Sequence, residues 1–156
     1  MKTALKHSPL GAIDANPLHL AHAAGLFDGD GCVLISKQHQ AGRKHPTYRL
    51  CLSLVQNCHK TITHFQSVLG LQACLVEVRR TRQQNRQVYD LRYDGIHAVR
   101  ALQLLQPYLV RKAVEAQVAI KFWSDCQMGV LPGCSGMPDS VWKARYRFYK
   151  KLQKLK

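Results

Sequence analysis

The chain has 156 residues, enough to close a hydrophobic core of its own and about the length of one domain. Its 23 Lys and Arg against 9 Asp and Glu give a formal charge of +14, a field that attracts polyanions and favours nucleic acid or an acidic membrane surface. No uncharged apolar run approaches the roughly 20 residues of a bilayer span, so a membrane-spanning protein is excluded and none of its partners is expected to be a membrane.

The opening residues lack the continuous apolar stretch of a secretion signal, which points to a soluble protein inside the cell, its compartment open. The six cysteines lie in apolar periodic segments without CxxC spacing and read as reduced, buried thiols. His19 with His22, or Cys126 with Cys134, make poor zinc-ligand sets, so zinc is not expected. The positive charge is clustered: Arg79, Arg80, Arg82, Arg86 and Arg92 fall within one short stretch, and residues 139 to 156 hold seven Lys or Arg against Asp139 alone. Such clustering favours nucleic acid over general solubility.

Residues 1 to 16 read as an N-terminal arm, flexible or loosely docked, ahead of a single domain over 17 to 156. Asn16 followed by Pro17 is a strong helix start, and the spacing predicts a helix to about Asp28. Ala21, Ala24 and Gly25 recur on it as small residues at helical spacing, permitting close approach of another helix. After the Asp-Gly-Asp-Gly turn, residues 32 to 38 and 47 to 56 alternate as strands, joined by a polar loop. Residues 57 to 69 return to helical spacing, with Asn57 as the cap and Gly70 as the stop. Strands at 74 to 81 and 87 to 93 flank an arginine-rich turn and form a hairpin. A helix over 96 to 106 halts at Pro107, another spans about 110 to 127, and Asp139 opens a last, basic helix behind a glycine- and proline-rich loop. On that helix Val141, Phe148, Leu152 and Leu155 form the apolar stripe. The order predicts an α+β fold: a four-stranded antiparallel sheet covered by helices on one face.

Asp28 and Asp30 stand out because acids are scarce here and like charges two residues apart repel. A divalent cation with hard oxygen ligands, Mg²⁺ above all, converts that repulsion into a bridge to phosphate. Taken alone, Asp-Gly-Asp-Gly reads first as a helix-ending turn and only second as a metal site. An EF-hand fails because Cys32 and Val33 occupy the fifth and sixth positions counted from Asp28, and a phosphate-cradling glycine loop is absent.

The stretch AAGLFDGDG, residues 23 to 31, resembles the signature of the LAGLIDADG homing endonucleases, with alanine for the leading leucine. LQPYLVRK, residues 105 to 112, is similar to that family's segment ending in a catalytic lysine, and SLVQN, 53 to 57, to the strand end bearing a glutamine. The resemblance covers roughly residues 17 to 125 and implies the family's saddle-shaped sheet. It also implies a homodimer, since one motif is present, with the motif helix at the interface through Ala21, Ala24, Gly25 and Asp28.

What the resemblance implies for the site is a metal-dependent DNA endonuclease. Asp30 and the Gly29 carbonyl hold Mg²⁺, for which Mn²⁺ substitutes; Asp28 supports the turn or the dimer contact. Gln56 orients water, and Lys112, with Lys60 as a weaker candidate, supplies positive charge beside the transition state. Without the motif, Gln56 would read as an ordinary strand-end polar residue and Lys112 as one of 23 solvated basic residues, with Lys60 balanced between the two readings. Sheet residues Ser36, Gln38, Arg49, Ser53, Glu77, Arg79, Thr81, Arg86, Asp90 and Arg92 are the expected reading surface for double-stranded DNA, with Arg43 and Lys44 on phosphate. The rivals are a DNA-binding regulator or an RNA-splicing maturase of the same fold without cleavage, and a basic protein coating nucleic acid, which leaves the acidic turn unexplained.

Overall fold

The computed structural model describes residues 3–5, 16–42, 44–78, 87–127 and 137–156, the first of these as backbone only. Five strands pair antiparallel: β1 (Thr3–Leu5), β2 (Gly31–Gln38), β3 (Thr47–Gln56), β4 (Cys74–Val78) and β5 (Val88–Asp94), in the spatial order β1-β4-β5-β3-β2. The four strands expected from the alternation are present. Within the segment read as an arm, Thr3–Leu5 pairs with the outer edge of β4, Ala4 opposite Val76. An otherwise open sheet edge is thereby paired over three residues.

Helices α1 (Pro17–Asp30), α2 (His59–Leu69), α3 (Ile96–Leu105) and α4 (Ala113–Cys126) bury apolar faces together with inward residues of the sheet, and α5 (Asp139–Lys154) packs on α4 and on β2 and β3. Period two puts Val33, Ile35, Tyr48, Leu50, Leu52, Leu54, Leu91 and Tyr93 on the covered face, all of them buried. Each fully buried aliphatic or aromatic side chain contributes about 1.5–3 kcal/mol of transfer free energy, so this layer dominates the favourable side of folding.

Local signals explain most helix ends. Asn16 accepts the Leu18 N–H at 3.0 Å while Pro17 occupies the first turn of α1. Gly70 takes the left-handed conformation at φ 60° and returns its N–H to Gln66. At α2 the cap position is Cys58, without a side-chain bond, so Asn57 lies one residue too early to serve. Proline at 107 ends α3 in a 3-10 turn over Gln106–Tyr108. The apolar stripe of α5 is anchored by Leu152 and Phe148, and Leu155 is exposed; Trp142 and Tyr149 take further places against the core.

Two boundaries differ from expectation for one reason. Helix α1 continues through the acidic motif to Asp30, and α4 starts at Ala113 instead of about residue 110. The Asp28 side chain bonds the backbone of residues 110–112, holding the last turn of one helix against the start of the other.

The motif's second glycine is required by space. Gly31 has an ordinary extended φ of −76°, but an ideal Cβ there would lie 2.5 Å from the Phe27 carbonyl oxygen. Phe27 cannot retreat, being buried and stacked on Phe65 with ring centroids 6.3 Å apart. Gly31→Ala is therefore expected to destabilise the fold by about 1–3 kcal/mol, the scale of overpacking, read as a lower urea midpoint with an unchanged slope.

Candidate active site

The site forms where α1 ends. A helix C-terminus exposes carbonyls without intrahelical partners and carries partial negative charge, and here two carboxylates are added to it. On one side Asp28 is satisfied by the turn before α4. Its carboxylate accepts N–H bonds from Val110 at 2.7 Å, Lys112 at 2.9 Å and Arg111 at 3.1 Å. The Lys112 ammonium donates to the Asp28 carbonyl at 2.5 Å, and the Arg111 guanidinium reaches the same oxygen at 3.5 Å. Burial opposes ionisation of Asp28, but the three N–H donors and the Lys112 charge outweigh it, holding the carboxyl below its ordinary range.

On the other side lies Gln56. Gly31 pairs with Leu54, so the last two residues of β3 run past the start of β2 and alongside the helix terminus. The Gln56 amide nitrogen donates to the Asp30 carboxylate. An ionised carboxylate only accepts, which fixes the amide orientation and leaves the Gln56 carbonyl oxygen for another donor. Asp30 and Gly29 are exposed, whereas Lys112 is only 5% exposed. The structure thus brings Asp30, Gln56 and Lys112 to one helix end. Lys60 stands apart: it is exposed on the first turn of α2, and no bond ties its ammonium to Asp28, Asp30 or Gln56.

The small residues of α1 divide between two faces. Ala21 and Gly25 are exposed, in line with Leu18, His22 and Gly29, and a Cβ on Gly25 would meet nothing within 4 Å. Ala24 is fully buried and Asp28 turns to the 110–112 turn. These two, expected at an interface between chains, instead belong to the protomer's own packing, because they lie one step around the helix from Ala21 and Gly25.

The open face of the sheet carries Ser36, Gln38, Arg49, Ser53, Asp90 and Arg92, with Ser36 opposite Arg49 and Ser53 opposite Arg92. Asp90 is buried at the centre of this group. It accepts from the Ser53 hydroxyl at 2.8 Å and from Arg92 Nε at 2.8 Å, with the second Arg92 nitrogen at 2.5 Å. Asp90 acts as an anchor that aims Arg92, whose side chain remains 47% exposed and whose protonation the Asp90 charge reinforces. Glu77 pairs with Tyr89 and so falls on the helix-covered side of the sheet, away from the other expected readers. Lys44 lies 3.6 Å from Asp139 at the exposed start of α5. Arg43, Arg79, Thr81 and Arg86 lie outside the described residues.

The donors at the α1 terminus, the Asp30 carboxylate and the Gly29 carbonyl, are hard oxygens, and that chemistry fits Mg²⁺ or Ca²⁺. Among the described residues no three His, Cys, Asp or Glu side chains converge on one metal position. A cation here would draw on backbone oxygen and on atoms from outside this chain. Among the described residues no helix is long and apolar enough to cross a membrane.

No protein-family profile and no curated protein matches this sequence. Solved structures do match in fold. The homing endonuclease I-CvuI, in complexes with DNA, superposes with TM-scores of 0.68 and 0.69 at 22% and 20% identity, over 89% of this chain and 82% of that one. Those complexes were formed with 2 mM Mg, where the DNA was not cleaved, and with 2 mM Ca. The archaeal intron-encoded homing endonuclease I-Vdi141I, complexed with DNA, gives 0.65 at 13% identity over 89% of this chain and 84% of that one. I-SmaMI, a LAGLIDADG homing endonuclease bound to cleaved DNA, gives 0.60 at 10% identity over 93% of this chain and 44% of that one. The fold is therefore that of the LAGLIDADG homing endonucleases, as the motif implied.

Two thiols near these surfaces differ sharply in reactivity. Burial, followed by the adjacent Asp94 carboxylate, pushes the Cys51 thiol up to about 12. Cys58, exposed two residues beyond Gln56, is lowered by the Thr61 hydroxyl and by the N–H groups at the start of α2. Because the thiolate is the nucleophile, iodoacetamide at pH 8 should label Cys58 first and leave Cys51 unmodified until the pH approaches its raised value. Peptide mass spectrometry against time checks the order.

Proposed function

We propose that this chain is a site-specific DNA endonuclease of the homing type, hydrolysing phosphodiester bonds with a divalent metal and acting as a homodimer on a long, nearly palindromic duplex. The observation that carries the reading is the convergence of Asp30, Gln56 and Lys112 at the α1 terminus, joined through the hydrogen bond from Gln56 to Asp30. The LAGLIDADG endonuclease fold, with relatives solved on DNA, supports it. So does the charge of +14, which favours a polyanionic partner.

Each residue has a task its position suits. Asp30 and the Gly29 carbonyl hold Mg²⁺ at the exposed helix end, with Mn²⁺ as a substitute. When bound, the metal supplies a more acidic water and charge stabilisation for the leaving 3′ oxygen. Gln56, its amide fixed on Asp30, uses its carbonyl oxygen to orient the attacking water. Lys112 places positive charge beside the phosphate in the transition state. The water oxygen bonds to phosphorus as the P–O3′ bond breaks, leaving a 5′ phosphate and a 3′ hydroxyl. Lys60, exposed on the first turn of α2 and without a bond to these residues, adds positive charge as the weaker candidate.

On the sheet, Arg49, Arg92 and Gln38 present donors to base edges in the major groove, with Ser36 and Ser53 shaping the surface between them. Lys44 serves the phosphates. A homodimer through the exposed α1 stripe of Leu18, Ala21, His22, Gly25 and Gly29 brings two Asp30 carboxylates together, one for each strand cut.

Incubation of the protein with a randomised duplex library and Mg²⁺, followed by sequencing of the ends, should yield discrete paired cuts. They should vanish with EDTA and fall by roughly a hundredfold or more in Asp30→Asn, the scale of losing one transition-state contact. Site-specific binding without cutting under any divalent ion would instead identify a regulator of the same fold, and splicing activity on RNA a maturase.

Dimerisation has its own test in Gly25→Leu. Since a Cβ at Gly25 meets nothing within its own protomer, this change should leave the protomer folded by circular dichroism while halving the mass in sedimentation. Replacing a helical glycine also adds about 0.5–1 kcal/mol of helix propensity, so loss of the dimer would not reflect unfolding. An unchanged dimer mass would reject this face as the contact.

A further inference from the structure

The densest set of polar contacts in the described molecule surrounds Asp28, to which the chemistry above gives no task. Its carboxylate accepts three N–H groups: Oδ2 takes those of Val110 and Arg111, and Oδ1 takes that of Lys112. Most of its lone pairs are committed to this turn, which gives Asp28 a different surrounding from exposed Asp30 two residues on. What it holds is Lys112, gripped twice. The backbone N–H of Lys112 bonds the Asp28 carboxylate, and its ammonium bonds the Asp28 carbonyl.

The electrostatics of the two helices make this arrangement favourable. Residues 110–112 precede α4, where N–H groups are without helical acceptors and the dipole is positive; the Asp28 carboxylate caps them from another helix. The end of α1 is negative, and the Lys112 ammonium and Arg111 guanidinium answer it. Two helix ends of opposite polarity thus neutralise one another through a single residue pair. A lysine side chain with four rotatable bonds is otherwise free to sample many rotamers.

We infer that Asp28 is the positioning residue of Lys112, clasping the 110–112 turn to the end of α1 so that the ammonium and the Asp30 carboxylate face the same phosphate. The inference rests on the nuclease reading for its purpose and on geometry alone for the clasp.

The test uses the full chain carrying Asp28→Asn, Asp28→Ala, Lys112→Gln and the double change Asp28→Ala with Lys112→Gln. A pulse of acetic anhydride read by peptide mass spectrometry reports the clasp without DNA. Lys112 should be protected in the wild type and acylated about tenfold faster in Asp28→Ala through local opening, while exposed Lys121 keeps its rate. Single-turnover cutting should fall about 10–100-fold in Asp28→Ala, the scale of losing an outer-shell partner, and by less in Asp28→Asn, which keeps the shape and one acceptor. DNA binding in Ca²⁺ should stay within about threefold, and the double variant should cut no more slowly than Lys112→Gln, because coupled residues are not additive.

Asp28→Asn carries the same comparison where Asp28→Ala does not fold. Equal protection of Lys112 with and without the Asp28 carboxylate overturns the proposal, as does a double variant slowed by the full product of the single effects. A wild type that cuts no DNA overturns the nuclease reading, and with it the purpose of the clasp, a result separable from the labelling.

Discussion

Negative charge accumulates at the end of α1, and the surrounding structure is arranged to answer it. The free carbonyls are the negative pole of the helix, and each exposed aspartate added there is unfavourable by about 0.3–1 kcal/mol. The answer is asymmetric. Asp28 is neutralised within the protomer by three backbone donors and a buried lysine, whereas Asp30 receives one neutral amide from Gln56 and stays exposed. Two residues of the same type, two positions apart, are thereby separated into a structural group and an exposed one.

The same economy governs acids elsewhere in this basic chain. Asp90 is buried on the open face of the sheet, where an unpaired carboxylate would be costly, yet it is paired with Ser53 and Arg92. Asp139 accepts from His45 at 2.7 Å while Trp142 stacks on the same imidazole, tying the loop between β2 and β3 to the start of α5. Buried Arg145 reaches no carboxylate in the described structure and instead donates twice to the Cys126 carbonyl, closing the end of α4. Acids are spent where they fix a donor's direction, and the remaining cations are left to the surface.

The elements were largely legible because the apolar period switches cleanly between two and 3.6. Strand β3 ran over the residues the alternation gave, and Gly70 and Pro107 ended helices as their backbone chemistry requires. The motif resemblance located Asp30, Gln56 and Lys112, which the fold then gathered. What periodicity could not reach was pairing between distant segments. Nothing local shows that Asp28 meets residues more than 80 positions away, so α1 was ended too early and α4 begun too soon. A signal existed in the proline-broken LQPYLVRK segment, whose helix-initiating N–H groups needed an acceptor. Glu77 was misplaced for a similar reason: alternation gives two faces, but only strand pairing says which face joins the neighbour's open side.

Two glycines of the motif region show how the sequence divides inside from outside. Gly31 is forced by its own protomer, since any side chain would strike the Phe27 backbone. Gly25 is forced by nothing within the protomer; a Cβ there would stand in open space, and glycine weakens the helix that contains it. A residue that costs helix stability without internal need is explained by what approaches from outside. The exposed line that Gly25 shares with Ala21 and Gly29 leads directly to Asp30. In the proposed homodimer, close approach along that line brings a second backbone toward the exposed Asp30 carboxylate, and among the described residues no three His, Cys, Asp or Glu side chains converge there. In the proposed homodimer the glycine at 25 and the exposed Asp30 carboxylate answer one requirement, a site shared with a second chain.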